Sequence, residues 1–133
     1  MGDVHAWEAQ VPVHDATNVV LIEIEGDRLA FGPRGYGAVT SFVVIVPDTA
    51  AEARFHREAL GFTEVMHHRI TGAGIERAVG LPPGAALDMR LLGQGDHAYG
   101  RIEVIAYEGL RGLDRFALAR PPATGILHCG VTT

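Results

Sequence analysis

The chain has no second cysteine, no excess of basic residues and no apolar run longer than a strand, and each absence removes a class of protein. Cys129 is the one cysteine among 133 residues, so no disulfide forms within the chain, which fits a reducing cytoplasm. Asp and Glu outnumber Lys and Arg by 16 to 11, giving a formal net charge of -5. Nucleic-acid binding needs clustered Lys and Arg, and no basic stripe is present. The run Phe42-Val43-Val44-Ile45-Val46 is far too short to span a bilayer. Met1-Gly2-Asp3-Val4-His5 has neither the basic nor the apolar region of a secretory signal. Phosphate-cradling loops are missing too: Gly72-Ala73-Gly74 has no Lys after it. Ser41 has no nucleophile elbow around it. The expectation is a cytoplasmic protein with no nucleic-acid or membrane partner.

What is present suits one ordinary core. With 47% hydrophobic and 20% charged residues, residues 1–133 are expected to form a single domain. Val39 to Val46 reads as a strand, and its β-branched run Val43-Val44-Ile45-Val46 suggests cover on both faces. Pro47-Asp48 ends it. Thr49 and Glu52 have capping-box spacing, Ala51, Phe55 and Ala59 recur along one stripe, and Gly61 is a stop signal, so a helix is predicted from Thr49 to Leu60. Phe55 is expected to pack against the sheet and Arg57 to face water. Thr63 to Ile70 is the next predicted strand, Ile75 to Gly80 a helical turn, and Leu81-Pro82-Pro83-Gly84 irregular chain. Leu87 to Leu92 and Arg101 to Tyr107 follow as antiparallel strands around a turn that begins at Gly93-Gln94-Gly95-Asp96.

The chain also repeats itself. Asn18-Val19-Val20-Leu21-Ile22-Glu23-Ile24-Glu25-Gly26 aligns without gaps on Arg101-Ile102-Glu103-Val104-Ile105-Ala106-Tyr107-Glu108-Gly109. A loop and a new strand follow each copy, at Gly37-Ala38-Val39-Thr40-Ser41-Phe42 and at Gly125-Ile126-Leu127-His128-Cys129-Gly130. Units roughly 85 residues apart are duplicated modules rather than solenoid repeats.

On this pattern of strand, helix and three strands, the chain resembles the vicinal oxygen chelate superfamily, which groups glyoxalase I, extradiol dioxygenases, methylmalonyl-CoA epimerase and bleomycin-resistance proteins. The resemblance implies an α+β fold with one full β-α-β-β-β module at about residues 37–109 and partial repeats at 1–36 and 110–133. It further implies a divalent metal (Fe, Mn, Ni, Zn or Co) held by a last-strand carboxylate and a first-strand imidazole. Those positions match Glu103 and His128, about 25 residues apart. The equivalent places in the other copies hold Val20 and Thr40 or Ser41, which are poor ligands. Two protein ligands fall short of the three a catalytic site usually supplies.

The remaining polar residues are weaker candidates. Glu23 and Glu25 alternate away from Val20 and are expected on an outer face. Glu103 is expected to need a partner such as Arg101 or Arg90. Cys129 alternates away from His128. Of His67 and His68, only one can face a given side of its strand. His97 and His14 sit in turn-like, acidic surroundings. Two readings follow. The first is a small-molecule-binding protein with a degenerate metal site, taking a small organic molecule and no metal. The alternative is a divalent-metal-dependent lyase, isomerase or dioxygenase acting on vicinal oxygens. Unpaired strand edges and the missing half of a partner module predict a homodimer, with exchange of terminal strands as one form of it.

Overall fold

Residues 6–12, 18–25, 33, 35–37, 39–97, 99–113 and 117 are described by the computed structural model. Their elements run in the order β1 (Ala6–Pro12), β2 (Asn18–Ile24), β3 (Ser41–Ile45), α1 (Thr49–Leu60), β4 (Thr63–Thr71), α2 (Ala73–Val79), β5 (Ala86–Gly93) and β6 (Arg101–Glu108). The fold is α+β. The chain divides into two compact units, Met1–Arg28 with Arg111–Thr133, and Leu29–Leu110.

In the first unit β1 and β2 form an antiparallel hairpin in which Ala6 faces Ile24 and Pro12 faces Asn18. β1 was not foreseen, although Trp7, Ala9 and Val11 alternate with Glu8 and Gln10 in the period of a strand. The repeated segments are therefore β2 and β6, and each is the second arm of an antiparallel hairpin.

In the second unit four strands lie in the order β3-β6-β5-β4, with β3 parallel to β6 and the other pairs antiparallel. A parallel pair needs a crossover, and α1, β4 and β5 all intervene between β3 and β6. β4 carries a bulge between Glu64 and Met66. There one extra residue enters without a partner.

Local signals explain α1. Its ends match expectation at Thr49 and Leu60, but its cap does not. The N-cap is Asp48, whose carboxylate accepts the Ala51 N–H at 2.9 Å. Gly61 closes the helix at φ 68°, the left-handed conformation glycine adopts without strain. The buried face is Thr49, Ala53 and His56 rather than the stripe through Phe55, which is 58% exposed. A helix of this length buries the stripe that faces the sheet, and aromatic character alone does not choose it. Arg57 is exposed, as expected.

Ala53 and Phe62 pack with Leu92 and Val104 as the core, flanked by Val44, Val46, Leu60 and Ile102. His56 is buried beside them, its Nδ1 donating to the Glu52 carbonyl at 3.0 Å and its ring tilted toward Phe62. β3 is not covered on both sides: among the described residues it is an edge strand, and Phe42, Val43 and Ile45 are exposed. The Leu81-Pro82-Pro83-Gly84 segment is irregular as expected, with Glu76 of α2 accepting the Gly84 N–H at 2.8 Å.

Candidate functional site

Strand register sorts the side chains of the second unit onto two faces, because neighbours in register point the same way. Across the face that α1 covers run the rows Phe42, Ile102, Leu92, Glu64 and Val44, Val104, Arg90, His67, followed by Ala106, Asp88 and Arg69. Each row begins apolar near β3 or β6 and turns polar toward β4. The polar ends meet the first turn of α1.

There the groups are matched one to another. The Thr49 hydroxyl donates to Asp88 Oδ2 and accepts from Arg90 Nε at 3.0 Å. His67 Nε2 donates to Asp88 Oδ1 at 2.7 Å, and Arg90 Nη1 donates to Glu64 at 2.7 Å. Burial acts to raise the Asp88 pKa. The hydrogen bonds from Thr49 and His67, with the charges of His67 and Arg90, outweigh it and hold the carboxyl below the usual carboxylate range. Farther along this face Arg69 donates through Nε and Nη2 to Glu108, and that hydrogen bond and charge raise the guanidinium pKa. An Asp–His pair is a proton-transfer arrangement. Here, however, Asp88 also holds Thr49, so the cluster joins α1 to β4 and β5 as a polar clamp.

The opposite face carries different chemistry. Its rows are Val43, Glu103, Leu91, Met66, then Ile45, Ile105, Met89, His68, then Tyr107, Leu87, Ile70. Apolar side chains dominate, and Glu103 stands between Val43 and Leu91, partly buried. Such a surface, apolar with a few placed polar groups, is the composition of a small-molecule site.

The expected site residues are placed as follows. Glu103 lies in the middle of the sheet on the face away from α1. His128 and Cys129 lie outside the described residues, as does His14. Val20, the counterpart of Glu103, is paired with Gln10 in the hairpin, while Glu23 faces Trp7 on its other side and Glu25 is exposed. Ser41 pairs with Arg101 at the start of β3. His68 is the histidine that shares the Glu103 face, and His67 is bound into the clamp. Arg90 is not a partner for Glu103: it sits opposite Val104, on the other face, and engages Glu64 and Thr49. His97 is exposed in the β5–β6 turn, its N–H reaching the Gln94 carbonyl.

Among the described residues, the cross-strand neighbours of Glu103, Val43 and Leu91, offer a metal no ligand, and Arg101, two residues away on the same face, is a cation. Among the described residues no group of three or more His, Cys, Asp or Glu side chains is arranged to hold a metal.

The sequence points to His67 and Arg90 only singly, and not to the clamp that they form with Thr49, Glu64 and Asp88. A signal for part of it exists, because Asp88 and Arg90 alternate with Leu87, Met89 and Leu91 and so mark one polar face of a strand. No protein-family model, curated protein or solved structure matches the chain.

Proposed function

We propose that the chain is a small-molecule-binding protein of the vicinal oxygen chelate type, whose ligand lies on the sheet face turned away from α1. The observation that carries this reading is the make-up of that face: Val43, Leu91, Met89 and Ile105 around one carboxylate, Glu103. Apolar walls supply affinity, and a carboxylate among them orients a ligand that bears a hydroxyl or amine. The strand order β3-β6-β5-β4 around one crossover helix supports the module the resemblance implies. Val20 and Ser41, in place of ligands, support a degenerate metal site.

Thermal-shift measurements with small aromatic and hydrophobic compounds test the reading, since a ligand that binds only the folded state raises the melting temperature. At least one compound should stabilise the wild type, and Met89→Glu, which puts a charge into the apolar row, should lose the shift. Glu103→Gln should weaken the same compound about tenfold, equivalent to roughly 1.4 kcal/mol. Titration calorimetry with Mn, Fe, Ni and Zn salts separates the metal-dependent enzyme. A heat of binding abolished by both Glu103→Ala and His128→Ala would replace the present reading with a metal-dependent lyase, isomerase or dioxygenase.

A further inference from the structure

We infer that the ligand of the sheet face turned away from α1 is an apolar carboxylic acid, whose carboxylate meets the Arg101 guanidinium end-on while its hydrocarbon lies over Leu91 and Met66. The inference rests on the reading that this face binds a small molecule, and it adds the chemical class of that molecule.

Arg101 has a seat prepared for it. Leu91 meets Glu103 and Leu92 meets Ile102, so one step further along the ladder Gly93 comes beside Arg101, on the Glu103 face. A Cβ added at Gly93 would stand 3.1 Å from the Arg101 Cγ, 3.7 Å from its Nε and 3.6 Å from the Val65 Cγ2. The arginine therefore crosses β5 over a residue that has no side chain, and Val65, which enters at the bulge of β4, closes the far side. Gly93 is buried beneath the two of them. Glycine inside a strand marks such a close approach. The Arg101 Nε donates to the His97 carbonyl at 3.0 Å, which fixes the plane of the guanidinium. Nη1 and Nη2 remain, and that pair matches the two oxygens of a carboxylate.

Charge is what this seat lacks. Arg69 and Arg90, the other arginines of the sheet, each meet a carboxylate at 2.7 Å, from Glu108 and Glu64. Arg101 forms no ion pair with a carboxylate of the described residues, although Asp and Glu outnumber Lys and Arg in the chain by 16 to 11. It is half-buried. A cation partly withdrawn from water and answered by a neutral carbonyl gains most from an anion that arrives with the ligand. Two residues along the strands, about 7 Å away, lies the row of Glu103, Leu91 and Met66, the last two partly buried. An acid whose hydrocarbon is about one aromatic ring long spans that step. Like charges repel, so the acid end belongs at Arg101 and not beside Glu103.

3-Phenylpropionic acid and its amide differ only in the group that Arg101 would meet, and titration calorimetry at neutral pH compares them. The wild type should bind the acid about tenfold more tightly than the amide. Raising the salt concentration should shrink that preference. Arg101→Gln should lose it while holding the amide as the wild type does, and Arg54→Gln, at an exposed position of α1, should keep it. Met89→Glu should lose both compounds, which tests the face itself. Acid and amide bound equally by the wild type, a preference indifferent to salt, or one retained in folded Arg101→Gln would each overturn the carboxylic acid and leave the ligand face standing. Failure of the wild type to bind either compound, or binding that Met89→Glu leaves intact, would overturn the face and the inference with it. Should Arg101→Gln not fold by circular dichroism, Arg101→Met, which keeps an apolar stem over Gly93, takes its place with the same expected outcome.

Discussion

Thr49 uses one hydroxyl twice, donating to Asp88 and accepting from Arg90. Asp88 has a pKa below its ordinary 3.8 in the folded protein. Its contacts therefore stabilise the fold fully above that value, and the contribution is lost as pH falls through the lower folded value. Asp88→Asn should cost about 1–2 kcal/mol at neutral pH. In urea melts the gap to the wild type should close as pH drops below 3.8. A gap equally wide in acid would show that the carboxylate charge is not its source. The core gives a sharper contrast. Leu92 is fully buried and Phe55 is 58% exposed, so Leu92→Ala should cost about 2–5 kcal/mol. Phe55→Ala should cost under about 1 kcal/mol, and the same melts read both.

Among the elements, α1 shows what local sequence specifies and what it leaves open. Its length was legible, because Gly61 and the polar residues before Ala51 act within a turn or two of themselves. Its buried face was not, because that depends on where Val104 and Leu92 lie. Asp48 and Thr49 are both good capping residues, and the choice fell to Asp48 because the Thr49 side chain is drawn to Asp88, 39 residues away. Asp48→Ala should therefore cost about 1 kcal/mol as the loss of a cap. Thr49→Ala should cost at least as much through the clamp, leaving Asp88 and Arg90 short of a partner. Strands were legible from alternation and β-branched runs, apart from β1. The candidate site was legible only at Glu103. The clamp joins residues from three elements, and no window of sequence brings them together.

Across the whole second unit, the sheet keeps two chemically distinct faces, one packed on α1 and one lined with apolar side chains around Glu103. That separation is a matter of parity, since every strand must count its residues by twos to keep each side chain on its own face. β4 is the exception, because Val65 enters at the bulge and is skipped by the pairing: Glu64 meets Leu92 and Met66 meets Leu91. Removing Val65 would leave a regular ladder in which Glu64, His67 and Arg69 still look toward α1 and Met66, His68 and Ile70 still look away. Deleting Ile105 from β6 instead would invert every residue on one side of the cut. A Val65 deletion variant should therefore fold and melt close to the wild type, while the Ile105 deletion should not fold. The bulge is thus the one place in this sheet where the chain can lose a residue without turning a strand inside out.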